Sequence, residues 1–263
     1  LGIVGKKQKP AMIVYPHGEN GDIFVQNEFA NACEIQTIFP IPPQQDEGNT
    51  LGGNILSLPG KVVLVGSHVN PKVLKFLKTE HHIIEVDTSW LPSGHVDELF
   101  FAMPNGQKGE VCPFTVFYAS PKLGNQLFQG SQADSPNIEI PPLTLSLNLE
   151  SRIQTQIAKI KAGVELNFEC KKLLFEPLPV LFNGKNSSGE AESFSLFSNP
   201  INGIALQTLA VIPKQTVSLF SDSIRSAFAR HKAEVLFVDT SLLHAWGCEA
   251  HCATNVIRSC RLY

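Results

Sequence analysis

No apolar run in this chain approaches the roughly 18 residues that a membrane-spanning helix requires, so no membrane partner is expected. Charge of one sign is also missing. The 21 Lys and Arg stand against 24 Asp and Glu, for a net charge of -3. Without a basic excess there is no electrostatic footprint for nucleic acid, and the slight acidity suits a positively charged substrate. No repeat of fixed period is visible, and no long linker divides the chain. The 263 residues are enough for a sizeable core, and we read residues 1–263 as a single α/β domain. The sequence opens on Leu1 rather than a methionine, which reads as a fragment or a processed form.

Cysteine is neither absent nor abundant. Six occur, at 33, 112, 170, 248, 252 and 260, and an even count in a chain of this length is weak evidence for disulfides. Cys33, Cys112 and Cys170 read as core residues. The spacing of Cys248, His251, Cys252 and Cys260 matches no common zinc pattern. Cys252 lies in a polar, glycine-bearing stretch, Trp246-Gly247-Cys248-Glu249-Ala250-His251-Cys252, unlike the apolar setting of a structural thiol.

Strand and helix signals alternate along the chain. Ala11 to Tyr15 and Glu34 to Phe39 read as strands, with a shorter one at Ile23 to Val25. Lys61 to Val65 is a continuous apolar strand of buried type. Asn70-Pro71 opens a helix over Lys72 to Lys78 with Val73, Leu74 and Leu77 inward. His82 to Val86 and Val111 to Ala119 read as strands, the latter turning at Ser120-Pro121 into a short helix. Apolar residues at 149, 153, 157 and 160 predict a helix ended by Gly163. Phe175 to Leu181, with two prolines, reads as an edge strand or irregular segment. Ile201 to Ile212 reads mainly as strand. Phe220, Ile224 and Phe228 mark a helix face, and Val235 to Val238 a strand. This alternation favours an α/β fold.

The chemistry concentrates in Gly94-His95-Val96-Asp97-Glu98. In an extended backbone His95 and Asp97 would share one face. A base and an anion on one wall suit a cation. A nucleophilic cysteine with a distant histidine and aspartate is a known arrangement, and Cys252 supplies the thiol.

Gly94-His95-Val96-Asp97-Glu98, followed far downstream by His251-Cys252-Ala253-Thr254-Asn255-Val256, resembles the protein-arginine deiminase family. Gln45-Asp46-Glu47, Gly53-Asn54, Trp90-Leu91, Ala119-Ser120-Pro121 and Ile212-Pro213-Lys214 resemble further family segments in the same order. The resemblance implies the pentein fold, an α/β propeller of five pseudo-symmetric ββαβ-type blades, here with one blade incomplete. It implies hydrolysis of the guanidinium of arginine in proteins or peptides to citrulline, releasing ammonia. By the same resemblance Asp46 and Asp97 pin the guanidinium, Cys252 attacks its carbon, and His95 moves the protons. Calcium is implied as a cofactor, with Gln45 among its ligands.

The chain departs from the family between Asp46 and Asn54, where the connection is short. It also departs at Pro43, where the family has tryptophan, and at Trp246, where it has arginine. Asn49 and Leu56 fall where calcium-binding glutamates are expected, so the implied calcium site is incomplete. Two alternatives therefore stay open: an inactive pentein that binds arginine-like ligands, and a hydrolase of free guanidino compounds.

Overall fold

The computed structural model describes residues 11–13, 36–38, 52–107, 109–131, 139–168, 170–184 and 194–252. The expected strand at 23–25 lies outside them, as do Gln45 and Asp46.

Three stretches of the chain fold into the same small unit. In the first, β3 (Ile55–Leu58) pairs antiparallel with β4 (Val62–Val65), helix α1 (Pro71–Leu77) crosses over, and β5 (His82–Glu85) returns parallel to β4. In the second, β6 (Phe100–Pro104) and β7 (Val111–Ser120) form the antiparallel pair. Helices α2 (Pro121–Gly130) and α3 (Leu143–Asn167) follow, and β8 (Lys172–Pro179) lies parallel to β7. In the third, β11 (Ile204–Leu206) and β12 (Leu209–Pro213) are antiparallel, α4 (Ser218–Arg230) crosses, and β13 (Glu234–Val238) is parallel to β12. A parallel partner requires a crossover connection, which is why a helix separates the second and third strand each time. Two smaller pairs complete the described sheets. They are β1 (Ala11–Ile13) with β2 (Gln36–Ile38), parallel, and β9 (Phe182–Asn183) with β10 (Phe194–Ser195), antiparallel. A five-residue helix, α5 (Ser241–Ala245), leads towards Cys252.

Local chemistry explains the elements. The four residues of β4, Val-Val-Leu-Val, are all buried, as a strand covered on both faces requires. Asn70 caps α1 by accepting from the Lys72 amide at 2.9 Å, with Pro71 at the first helical position. Ser120 does the same for α2, accepting from Leu123 at 3.2 Å. Helix α4 buries Phe220, Ile224, Ala227 and Phe228 on one side. Phe228 stacks on Phe117 of β7 at 4.3 Å between ring centroids, and one apolar cluster runs through all three units.

Three expectations are corrected. The helix expected to end at Gly163 runs from Leu143 to Asn167. Gly163 is interior and lies against Ile84 of β5, where an added Cβ would come within 2.5 Å of the Ile84 side chain; tertiary packing, not termination, uses this glycine. Cys112 and Cys170 are buried as expected, but they are joined to each other in a disulfide. The Gly94 stretch is not extended throughout: His95 is, at φ −92° and ψ 141°, but Val96–Glu98 form a one-turn 3-10 helix. Ile201 to Ile212 resolves into the β11–β12 hairpin after a turn at 199–202.

Candidate active site

The segments that enter the three units meet at one place. The 3-10 turn Gly52–Asn54 precedes β3, the His95–Glu98 turn precedes β6, and Asn199 to Asn202 precede β11. His251 and Cys252 arrive from beyond α5.

Gly94 adopts φ +67°, a left-handed conformation that glycine tolerates without steric cost. Its carbonyl accepts from the buried Thr88 hydroxyl at 2.5 Å, and Thr88 itself accepts from the Ser67 amide at 2.8 Å. The turn is thereby fixed to the first unit. One residue on, His95 is buried, with Nδ1 4.0 Å from Asp97 Oδ1. The 3-10 turn brings the two side chains together although the strand argument for their shared face does not hold. Burial holds the His95 imidazole below its ordinary range; Asp97 opposes this and His251 adds to it.

Asp97 is 2% exposed. Its Oδ2 accepts from His251 Nδ1 at 2.7 Å and from the Cys252 thiol at 3.4 Å. Its Oδ1 is buried and has no hydrogen-bond partner among the described residues. An unsatisfied buried acceptor is costly and calls for a functional explanation. The bare Cα of Gly53 faces the same pair. A Cβ there would lie 2.7 Å from both Asp97 Oδ2 and His95 Nδ1, so no other residue fits without displacing them.

Cys252 is exposed as a residue, yet its sulfur turns inward onto Asp97 and Asn202. Loss of water around the sulfur, and then the Asp97 carboxylate, push the thiol far above its usual range. The hydrogen bond from Asn202 acts in the opposite sense. One donor atom each from His95, Asp97 and Cys252 lies within 4.8 Å of the other two.

The loop before the thiol is held by Glu249. This buried carboxylate accepts from the Asn199 amide at 3.0 Å, the Thr240 hydroxyl at 2.6 Å and His244 Nδ1 at 2.7 Å. Glu98 is enclosed beside it and accepts from the Ser93 hydroxyl. Burial pushes its carboxyl up to about 7, with Asp97 and Glu249 contributing.

Three of the four expected catalytic residues, His95, Asp97 and Cys252, thus converge, while Asp46 lies outside the described residues. Gln45, the expected calcium ligand, is outside them too. The grouping of metal-binding side chains among the described residues is one nitrogen, one oxygen and one sulfur, whereas calcium takes six to eight oxygens. These residues do not fit calcium, and no step is derived through it. Asn202, inside the expected strand at Ile201 to Ile212, and Glu249, in the polar stretch before the thiol, carried no signal in the sequence that pointed to the site.

No protein-family profile matches the chain. It is 27% identical over 267 residues to protein-arginine deiminase type-1 of Mus musculus, a match covering 88% of this chain and 38% of that enzyme's length. Among solved structures it is similar to the agmatine deiminase of Enterococcus faecalis, with TM-score 0.53 and 10% identity over 93% of this chain and 68% of that one. It is similar to a substrate-bound C315S agmatine deiminase of C. jejuni, with TM-score 0.51 and 12% identity over 93% and 67%. A candidate peptidyl-arginine deiminase gives TM-score 0.55 and 14% identity over 92% and 69%. These structures share the fold. Three ββαβ-type units, the second with two helices in its crossover, and the meeting of His95 and Asp97 with Cys252 accord with these likenesses: the chain has the pentein fold and resembles protein-arginine deiminase type-1 in sequence.

Proposed function

We propose that the protein is a cysteine-dependent hydrolase that converts the guanidinium of arginine residues in proteins or peptides to a ureido group, releasing ammonia. The observation that carries this reading is Asp97. One carboxylate oxygen is buried and accepts no hydrogen bond from the described residues, and the other accepts from the candidate nucleophile. A guanidinium is a planar cation with five N–H donors, and a charge-assisted bond would satisfy Oδ1.

The resting charges are consistent with such a substrate. Burial and Asp97 favour the protonated Cys252 sulfur, and burial favours the uncharged His95 imidazole, so neither of these two groups opposes a cation. A guanidinium beside the sulfur offsets the Asp97 charge that raises the thiol. Cys252 then passes its proton to His95 as the sulfur bonds to the guanidinium carbon. The protonated His95 gives that proton to the leaving nitrogen, the C–N bond breaks, and ammonia departs. A covalent thiouronium remains. His95 next takes a proton from water as the oxygen adds; the C–S bond then breaks as the C=O bond forms, the sulfur takes its proton back from His95, and the proton of the added hydroxyl leaves with the ammonia. The ureido product is neutral, so Asp97 loses its ionic partner and release is favoured. Asp46 completes the proposal as the second carboxylate on the substrate, and Gln45 as a calcium ligand.

A second reading is hydrolysis of small guanidino compounds. Trp246 stands 86% exposed where the family's arginine is expected, so that position offers no cation to a peptide backbone, and agmatine deiminases share the fold.

The test is product formation from a blocked arginyl peptide, free arginine and agmatine, each with calcium and with chelator, beside Cys252→Ala. Citrulline from the blocked peptide, lost in the variant, is the expected result. Turnover of agmatine alone would select the second reading. Silence in every arm, with arginine-like ligands still raising the melting temperature, would leave a binding protein and overturn the enzyme.

A further inference from the structure

Asn202 holds both ends of the nucleophile. The residue is 1% exposed, and Oδ1 accepts from the backbone amides of His251 and Cys252 at 3.0 and 3.1 Å. The His251 amide is shared with the Asn202 backbone carbonyl, also at 3.0 Å. With two N–H groups aimed at it, this atom of the amide must be the oxygen, and the other must be the nitrogen. That nitrogen donates to Cys252 Sγ at 3.1 Å. The sulfur is therefore flanked by a donor from Asn202 and by the acceptor Asp97 Oδ2 at 3.4 Å.

The two neighbours act in opposite directions on the thiol. The carboxylate favours the protonated sulfur, and an N–H donor favours the anionic one. When a cation neutralises the carboxylate, the donor from Asn202 remains on the sulfur. It needs no rearrangement as charge develops there.

We infer that Asn202 is a further catalytic residue: its Nδ2–H stabilises the Cys252 thiolate while its Oδ1 fixes the backbone that carries the sulfur. The inference rests on the proposed deiminase reaction for its catalytic meaning. Its physical content, a donor on the sulfur, stands apart from turnover. The contribution is distinct from that of Glu249, which anchors the preceding loop through Asn199, Thr240 and His244.

The experiment is the rate of Cys252 alkylation by iodoacetamide against pH, read by mass spectrometry of the Cys252 peptide in the full chain without substrate. Asn202→Ala removes the donor without adding charge. Asn202→Asp keeps the acceptor for the two backbone amides and also removes the donor. In both, the alkylation midpoint is expected to rise by about one unit, and kcat to fall about tenfold or more with KM little changed. A residue that only shapes the loop would lower the alkylation rate equally at every pH. An unshifted midpoint in a folded Asn202→Ala chain therefore overturns the role, as does loss of the fold in both variants. A wild-type chain that forms no product sinks the deiminase reading yet leaves the midpoint shift to be seen. A turning-over chain with an unshifted midpoint sinks Asn202 alone.

Discussion

His251 Nδ1 lies 2.7 Å from Asp97 Oδ2, while the other oxygen of that carboxylate is buried and accepts nothing from the described residues. The imidazole thus fixes which oxygen is left for a ligand. His251→Ala frees the carboxylate to rotate, and a hydrogen bond to a charged group is worth roughly 1.5–3 kcal/mol. We expect kcat/KM to fall about tenfold, carried mainly by KM, because the lost contact orients substrate binding rather than the chemical step. Steady-state kinetics on the variant check the split. A loss confined to kcat would contradict the assignment.

Gly53 makes the second prediction. An alanine there places Cβ 2.7 Å from Asp97 Oδ2 and His95 Nδ1, so one or both must move. Gly53→Ala is expected to abolish turnover and arginine-induced thermal stabilisation while leaving the far-ultraviolet circular dichroism unchanged. Binding at the wild-type affinity would show that the cleft has more slack than these distances allow.

Glu98 gives a pH prediction. Its carboxyl is raised from an ordinary 4.5 to about 7, so between these values the native protein holds a proton that the unfolded chain has released. Stability therefore falls as pH rises across that window and stays lower above it. The penalty at pH 8 is about 3 kcal/mol at most. Glu98→Gln keeps the shape without the charge. Its melting temperature should exceed that of the parent at pH 8 and approach it at pH 5. Equal differences at both pH values would exclude a buried, proton-holding Glu98.

The disulfide supplies a fourth. Cys112 and Cys170 are 58 residues apart in sequence, and they join the start of β7 to the segment before β8. Closing a loop of that length is worth about 4 kcal/mol in the chain-entropy account. The double variant Cys112→Ala with Cys170→Ala should lower the denaturant midpoint by a matching amount yet retain turnover, because neither residue touches His95, Asp97 or Cys252. Loss of turnover at full folding would tie the bridge to the site.

Much of the chemistry was legible because it is written locally. The thiol, imidazole and carboxylate were readable as residue types in two short motifs, and the resemblance supplied their roles. What failed was reasoning from one segment at a time. The shared face of His95 and Asp97 was argued from strand period, whereas the residues sit at the mouth of a 3-10 turn. Asn202 fell within the expected strand at Ile201 to Ile212, and nothing in its neighbourhood reveals a partner 50 positions away. His251 was legible only as a neighbour of the nucleophile; its bond to Asp97, 154 positions distant, is set by the tertiary structure.

The sequence by itself determined the buried strand at Val62–Val65, the caps at Asn70 and Ser120, the apolar face of the helix through Phe220, Ile224 and Phe228, and the reactive groups. Each depends on side chains within a few positions of one another, so periodicity and capping chemistry suffice. Only the tertiary structure decided that three stretches without visible sequence repeat share one ββαβ topology and that their entry segments meet. Strand pairing is made by backbone groups common to all residues and needs only apolar side chains on the faces that pack. The same unit can therefore recur with different residues, and the site emerges where those units are packed together.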